Sequence, residues 1–295
     1  MRVAVIGLGG VGGYLAASLS KTSHEIVGFA RGEHLQKIQN SGLEIIEDEV
    51  IWNKKLDVRT LESIDGYFDI VLFCVKSYSL KESYKKVQSH IDEKTVLLSF
   101  SNGVENGELL KSMSSSVVLD AAIYILSHIE KSGTIRKKGK VFSAIFGGEK
   151  EASKRVKSLF IEADLRVKTP ENIKEAIWKK YIFISAFATL TTFYEKSMGY
   201  INEYYRAEAL SVLQEIAEVA KALGVDVEGE VENALQSISK VPYDSNSSMY
   251  LDFKNNRESE LESLSAYIVK KGEHFKVETP YMKKMYEALL QRGKS

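Results

Sequence analysis

The first half of the chain alternates short apolar runs with stretches of helical period. The apolar runs are rich in Val, Ile and Phe and show no polar alternation: "RVAVIG", "EIVGFA", "DIVLFCVK", "TVLLSFS", "VVLDAAIYIL" and "VFSAIFGG". Strands of this kind, separated by helical segments, predict βαβ units whose parallel sheet is covered on both faces. We therefore predict an α/β domain over residues 1–168.

After Pro170 the pattern changes, and nearly everything from Asn172 to Leu290 has helical period. Breaks occur only at "MGYINEYY", "LGVDVEGE" and "VPYDSNSSM". This pattern predicts an all-α second domain over residues 169–295. Its long helices could pack against one another or against a second subunit, so a homodimer stays open.

One lysine interrupts the apolar side of the first helix in this second domain, "ENIKEAIWKKYIFISAFATLTT". Burying an unpaired ammonium group is costly, so Lys180 either has a chemical role or reaches along the helix to solvent. Its neighbour Lys179 follows Glu175 by one turn and is interpreted as an ordinary solvated pair. The stripe that shares a face with Lys180 consists of Ile173, Ala176, Ile177, Ile184, Phe187, Ala188 and Thr191.

Composition and charge exclude several classes of function. In 295 residues, 40 Lys and Arg balance 40 Asp and Glu, so no net field attracts nucleic acid or an anionic membrane. We interpret the basic run "IRKKGK" at 135–140 as a solvated hairpin tip. The single cysteine, Cys74, cannot form an internal disulfide, and the five histidines show no metal-ligand spacing. Without a secretory signal or an apolar run of bilayer length, we expect a soluble, cytoplasmic protein.

A glycine-rich motif lies directly between the first strand and the first helix. Glycines in the order G-x-G-x-x-G permit a tight turn and close backbone approach, and the helix N-terminus offers unpaired N–H groups to a pyrophosphate. The alternative is a glycine turn that only packs against its strand. We predict a Rossmann-type dinucleotide site whose turn consists of Gly7, Leu8, Gly9, Gly10, Val11 and Gly12.

The residue after the second strand indicates which dinucleotide would bind. NAD-binding proteins usually carry an acid there, whereas this chain has Arg31, whose guanidinium can neutralise a 2′-phosphate. Glu33 keeps NAD open, although it also suits the first turn of a helix. We therefore predict NADP as the cofactor.

Two further polar residues follow strands of the predicted sheet. Ligands of open α/β sheets bind outside the carboxyl ends of the strands. Lys76 follows "LFCV" and Asn102 follows "LLSFS", so both could face a bound nicotinamide. A solvated loop lysine and a plain Asn-Gly turn are the simpler explanations of each residue taken singly.

Motifs along the whole chain resemble those of the ketopantoate reductases (2-dehydropantoate 2-reductases). They are "GLGGVGG", "ARGEHLQKIQNSGLEI", "VKSYSL", "SNGVEN", "AIWKKY" and "SSMYLDFKNNRESELESL", in this order and spacing. The resemblance implies a Rossmann domain joined to a helical domain. It also implies NADPH-dependent reduction of ketopantoate to pantoate in pantothenate synthesis.

The resemblance also assigns roles to residues. Lys180 would be the catalytic lysine that donates the proton, and Glu260 would be the acid that orients it or the substrate. Asn102 and Ser248 would contact the substrate, while Arg31, Lys76 and Asn102 would lie on the cofactor side. The simpler alternatives are a surface position for Glu260 and a helix-capping role for Ser248.

One departure from the family pattern concerns the substrate. Many members carry asparagines one and two turns after the catalytic lysine, where this chain has Ile184 and Ala188. Neither side chain can hydrogen-bond a substrate hydroxyl. Ketopantoate therefore competes with another 2-oxo acid that has an apolar side chain. A protein that senses NADP without turnover is the alternative outside the enzymes.

Overall fold

The computed structural model describes residues 1–293, which divide into two compact units. The first, here called the sheet unit, comprises residues 1–101 and 105–173. The second, here called the helical unit, comprises residues 102–104 and the chain from Lys174 onward. The predicted order of an α/β domain followed by a helical domain is confirmed.

Within residues 1–173, strands and helices alternate as the apolar runs predict. The strands are β1 Arg2–Ile6, β2 Glu25–Phe29, β3 Leu43–Glu47, β4 Val50–Lys54, β5 Asp57–Arg59, β6 Ile70–Phe73, β7 Val96–Ser99, β8 Val117–Lys131, β9 Thr134–Gly147 and β10 Val167–Lys168. The helices are α1 Gly10–Leu19, α2 Gly32–Ser41, α3 Leu80–Val87, α4 Asn106–Met113 and α5 Lys150–Glu162.

The strands form one sheet in the order β4-β3-β9-β8-β7-β6-β1-β2-β5, with β10 beside β9. From β8 to β5 every neighbouring pair is parallel. Strand β1 shows why its sequence is apolar throughout: Val3 and Val5 enter the core on one face, and Ala4 and Ile6 enter the core on the other.

The outer part of the sheet departs from the predicted parallel arrangement. Strands β8 and β9 pair antiparallel, because the two-residue turn Ser132–Gly133 between them is far too short for a parallel crossover. The prediction that residues 135–140 form the hairpin tip is therefore wrong. They belong to β9, and the Lys137 side chain is only 3% exposed because it donates to Glu47, 2.7 Å away.

The helical unit packs its helices around a core of its own. Trp178, Leu213, Ile268 and Met282, from four different helices, are all nearly fully buried within it. No helix within residues 1–293 is long and apolar enough to span a membrane. The helices are α6 Ile173–Tyr194, α7 Met198–Tyr204, α8 Arg206–Ala222, α9 Glu230–Ile238, α10 Ser248–Lys254, α11 Tyr267–Phe275 and α12 Pro280–Arg292.

A π-helical turn, Glu262–Ala266, leads directly into α11. Its wider winding is visible in the bond from the Tyr267 N–H to the Glu262 carbonyl, which spans five residues. Turns of this kind add one residue to a helix and are frequent at functional sites.

Candidate active site

Some glycines in the turn between β1 and α1 pack against neighbouring atoms, and another borders open space. Gly7 has φ +91°, and a Cβ on Gly12 would collide with the Gly7 carbonyl and with Cβ of Cys74. A Cβ on Gly9 would meet no atom within 4 Å, and the φ of −69° suits any residue. The fold itself therefore does not require glycine at position 9. Open space at the N-terminus of α1 fits a pyrophosphate that approaches the backbone closely.

Two neighbouring segments hold this turn in place. Gly10 lies so close to the backbone of Ser127 in β8 that a Cβ would collide with it. Nε2 of His34, in α2, donates to the Leu8 carbonyl at 2.9 Å, and its Nδ1 accepts the Gly133 N–H at 3.0 Å. These bonds require a neutral ring with its proton on Nε2. Burial favours the same state by lowering the pKa of His34.

Arg31 follows β2 after a single residue, at the same sheet edge as the glycine turn. The Gly7 N–H donates to the carbonyl of Phe29, the last residue of β2, at 2.9 Å. The Arg31 side chain is exposed and makes no ion pair within residues 1–293. Glu33, the alternative ribose partner, accepts a hydrogen bond from Ser132 at 3.1 Å in the first turn of α2. The Glu33 carboxylate is thus already engaged, whereas the exposed Arg31 guanidinium has no ion pair within residues 1–293.

Lys76 lies just beyond β6 at this edge. It is partly buried and begins the short 3₁₀ turn Ser77–Ser79. The loop after β7 is tied to the same region, since the Ser101 hydroxyl donates to the Val75 carbonyl at 2.7 Å. Carboxyl ends of β1, β2, β6 and β7 therefore present the glycine turn, Arg31 and Lys76 along one edge of the sheet.

In the helical unit, Asn102 bridges Lys180 and Glu260. Nζ of Lys180 donates to Oδ1 of Asn102 at 3.0 Å, and Nδ2 of Asn102 donates to Oε2 of Glu260 at 3.2 Å. The amide orientation follows from these partners, because an ammonium group can only donate and a carboxylate can only accept. Three of the four residues that the resemblance assigns to the substrate side are thus joined in one hydrogen-bonded chain, and Ser248 is not part of it.

The surroundings of Lys180 make its ammonium group more acidic than usual. Burial lowers the pKa of Lys180 to about 8, and the negative charge of Glu260 counteracts part of this effect. Glu260 is itself only 3% exposed, so the alternative of a surface position for it is wrong. A lysine with a pKa lowered to about 8 and linked through Asn102 to a buried carboxylate is suited to general acid catalysis.

Lys179 behaves as an ordinary surface residue, unlike its neighbour. Its side chain is half exposed and forms an ion pair with Glu230 of α9 at 3.3 Å. The interpretation of Lys179 as solvated is therefore correct, but its partner is Glu230 and not the expected Glu175. Spacing within the helix, however, does not reveal Glu230 as its partner.

The serine assigned to the substrate is the first residue of α10. Ser248 is exposed, and its hydroxyl makes no hydrogen bond to the part of the chain that the structure describes. The capping role belongs to Ser247, which is buried, accepts the Tyr250 N–H at 3.1 Å and bonds Thr191 at 2.7 Å. The capping alternative for Ser248 is therefore wrong.

The two residues that depart from the family pattern lie on α6 as the helical period requires. Ile184 is partly buried and packs against the core of the helical unit, while Ala188 is buried. The face that continues from Lys180 along α6 is therefore apolar at both positions.

Other features of the site had no signal in the sequence. Asn102 and Lys180 are 78 residues apart, and Asn102 and Glu260 are 158 apart. Neither local periodicity nor turn chemistry reports such contacts. His34 cannot be recognised from the sequence, because a lone histidine in a helical stretch has no distinguishing pattern.

Comparisons with known proteins cover nearly the whole chain. Residues 3–148 match the family model "Ketopantoate reductase PanE/ApbA", and residues 172–292 match its C-terminal counterpart. An uncharacterized oxidoreductase of Bacillus subtilis, YkpB, is 27% identical over 98% of both chains.

Two solved structures share the complete fold. A PanE/ApbA family ketopantoate reductase from Ralstonia eutropha has a TM-score of 0.93 and 26% identity, covering 100% of this chain and 99% of its own. A 2-dehydropantoate 2-reductase from Porphyromonas gingivalis has a TM-score of 0.85 and 28% identity, covering 98% and 99%. The chain therefore belongs to the ketopantoate reductase family and is an oxidoreductase that acts on a CH–OH group.

Proposed function

We propose that this protein uses NADPH to reduce a 2-oxo acid, with ketopantoate as the first candidate and pantoate as its product. The observation that carries the proposal is the bonded chain of Lys180, Asn102 and Glu260. Reduction of ketopantoate would place the enzyme in pantothenate biosynthesis. The family membership and the names of its relatives support this substrate.

Lys180 has the chemistry to act on the substrate carbonyl. When bound, the dinucleotide supplies a hydride to the carbonyl carbon. Negative charge then develops on the carbonyl oxygen, where the Lys180 ammonium group stabilises it and transfers a proton. With a pKa of about 8, Lys180 is mostly protonated at pH 7 and yet gives up its proton more readily than an ordinary lysine.

Asn102 and Glu260 would hold the proton donor in place. The Asn102 side-chain oxygen accepts one N–H of Lys180, and the Asn102 amide nitrogen donates to the Glu260 carboxylate. The Glu260 carboxylate favours the charged form of Lys180. We infer that the same two residues also orient a substrate that reaches Lys180.

Arg31 supports NADP over NAD as the cofactor. An exposed guanidinium at the end of β2 can neutralise a 2′-phosphate, and the neighbouring Glu33 already accepts a hydrogen bond from Ser132. Replacing Arg31 with Ala should weaken NADPH binding by roughly tenfold to hundredfold while NADH binding changes little. The exposed Arg166 supplies a control variant, Arg166→Ala, and equal losses for both dinucleotides would contradict the phosphate role.

A second candidate substrate is a 2-oxo acid with an apolar side chain. Ile184 and Ala188 offer no side-chain hydrogen bond where many family members carry asparagine. The deciding assay measures NADPH oxidation with ketopantoate beside 2-oxo acids of increasing apolar side chain. A higher kcat/KM for the apolar acids would favour this second candidate.

The proposed mechanism has a matched pair of variants in adjacent lysines. Lys180→Ala should lower kcat/KM by roughly 100-fold or more, because general acid catalysis is lost, and should leave the Kd for NADPH unchanged. Lys179→Ala should leave both unchanged. Equal turnover in the two variants would refute the mechanism, and NADPH binding without turnover on any 2-oxo acid would indicate a sensing protein.

A further inference from the structure

A row of hydroxyl groups on α6 faces the π-helical turn. Tyr181, Ser185 and Thr189 follow one another at intervals of one helical turn and are at most 1% exposed. Tyr181 donates to the carbonyls of Ser263, at 2.8 Å, and Leu264, at 3.2 Å. Ser185 donates to the Leu264 carbonyl at 2.6 Å, and Thr189 bonds the Ser265 hydroxyl at 2.7 Å. We call Tyr181, Ser185 and Thr189 the hydroxyl row.

These bonds compensate for the unusual winding of the turn. A π turn takes carbonyls out of the regular pairing between residues four apart, and buried carbonyls need donors. Within Glu262–Ala266, where the chain is buried except for Glu262, the hydroxyls of Tyr181 and Ser185 supply donors to the carbonyls. The Thr189 hydroxyl donates instead to the Ser185 carbonyl at 2.8 Å. The row therefore favours the π form over a regular α-helical turn at this position.

The π turn determines where Glu260 lies relative to α11. Each residue of an α-helix advances the chain by about 100° around the axis, so one additional residue rotates everything before it by that amount. Glu260 is coupled to the turn through its backbone carbonyl, which accepts the Leu264 N–H at 3.0 Å and the Ser263 hydroxyl at 3.2 Å. A change in the winding would move the Glu260 side chain away from Asn102.

We propose that Tyr181 and Ser185 are positioning residues that hold the π turn, and through it Glu260, in register with Lys180. Helix α6 thus carries both Lys180, the proposed proton donor, and the hydroxyl groups that fix the position of Glu260. This inference rests on the proposed function only for its catalytic consequence, because the effect on Lys180 itself is measurable without turnover.

Loss of the row should change the titration of Lys180 in a defined direction. The Glu260 charge raises the pKa of Lys180, so a displaced carboxylate leaves burial as the stronger influence and the pKa drops below about 8. A substitution that merely loosened the core would lower the melting temperature without this specific change.

The test uses Tyr181→Phe and Ser185→Ala, which remove single hydroxyl groups. Phenylalanine keeps the ring contacts with Trp178 and Tyr267. The control is Tyr84→Phe, because the buried Tyr84 also donates to a backbone carbonyl, that of Met113 at 2.7 Å in the sheet unit. Two readouts are measured against pH: kcat for 2-oxo acid reduction, and the rate of Lys180 acetylation by acetic anhydride, followed by mass spectrometry.

We expect both variants to lower kcat by about fivefold to tenfold and to move the acetylation midpoint of Lys180 to lower pH, while Tyr84→Phe changes neither. An unchanged midpoint in both variants would overturn the proposal, even if kcat and the melting temperature fell together. A shifted midpoint in a protein that reduces no 2-oxo acid would support the positioning role and refute the proposed function.

Discussion

Lys180 and Glu260 show how a partly buried lysine keeps part of its preference for the charged form. Desolvation alone would favour the neutral amine, and a carboxylate held one amide group away restores part of the preference for charge. The resulting pKa of about 8 places the loss of the proton within the range in which enzymes are assayed. Both effects can be separated by removing the charge of Glu260 alone.

Replacing Glu260 with Gln should move the alkaline limb of the kcat profile to lower pH. In the wild type we expect kcat to fall as pH rises through about 8, since the proton donor is lost. Glutamine cannot raise the pKa of Lys180, so the decline begins at lower pH. Steady-state rates from pH 6 to pH 10 check this, with Glu273→Gln, at an exposed ion pair with Lys283, as the control. An alkaline limb at the same pH as in the wild type, or at higher pH, would contradict the electrostatic coupling between Glu260 and Lys180.

At this scale the sequence exposes candidates but not their contacts. Lys180 stands out because it interrupts an apolar stripe, and Arg31 because it replaces an expected acid. The hydrogen bonds of Asn102 depend on chain segments separated by 78 and 158 residues, and no local pattern encodes such distances. Tyr181 and Ser185 do not stand out among their apolar neighbours, because a sequence does not distinguish a buried hydroxyl group from a solvated one.

Among the elements, the turn between β1 and α1 gives its glycines different tasks. Gly12 makes room for the backbone of the turn, whereas Gly9 borders open space. Gly12→Ala should destabilise the fold by roughly 1–3 kcal/mol or more through overpacking. Gly9→Ala should change stability by less than about 1 kcal/mol and weaken NADPH binding roughly tenfold.

Chemical unfolding and NADPH fluorescence titration of the two glycine variants separate stability from binding. If Gly9→Ala bound NADPH as tightly as the wild type, the open space at α1 would not be a phosphate site. Glycine count alone could never assign these tasks, because both residues occupy positions of one motif.

His34 makes the contact between the glycine turn and the β8–β9 hairpin sensitive to pH. Its folded-state pKa is lowered, so the folded protein keeps the ring neutral where an unfolded chain already takes up a proton. Stability should therefore fall as pH drops below about 6.5, the ordinary value for histidine. His34→Ala should lower the free energy of unfolding by roughly 1–3 kcal/mol at neutral pH and reduce this acid-dependent loss.

Urea unfolding at pH 7.5 and pH 5.5 measures both effects. His90→Ala is the control, because His90 also bonds a backbone carbonyl, that of Gly66, at 2.8 Å. An acid-dependent loss in His34→Ala as large as in the wild type would exclude His34 as its source.

The success of prediction differs among elements for physical reasons. Parallel central strands are buried on both faces, so their continuous apolar runs identify them directly. Strand β8 begins with an apolar run and β9 ends with one, and only the short turn at Ser132–Gly133 sets their antiparallel pairing. A π turn has no sequence signature of its own, because it differs from an α turn by one hydrogen-bond register.

For the whole molecule, thermal unfolding should distinguish the residues needed for cofactor binding from those needed for catalysis. A ligand at about 100 times its Kd adds roughly 2.7 kcal/mol to stability, which corresponds to several degrees. NADPH should raise the melting temperature of the wild type and of Lys180→Ala equally. Arg31→Ala should lose much of this increase at the same NADPH concentration, and a loss in Lys180→Ala instead would place the dinucleotide elsewhere.

Residues 102–104 belong to the helical unit although they lie within the sequence of the sheet unit, and this limits how members of the family can be recombined. The chain passes between the units at 101/102, again at 104/105, and a third time at 173/174. A gene fusion made at the last crossing would combine one parent's Asn102 with the other parent's Lys180 and Glu260. Swapping residues 1–173 between relatives to exchange cofactor preference would therefore also replace Asn102, the central member of the proposed catalytic chain. Single substitutions at positions such as Arg31 avoid that coupling and offer a route by which cofactor use can change while the acid chemistry stays intact.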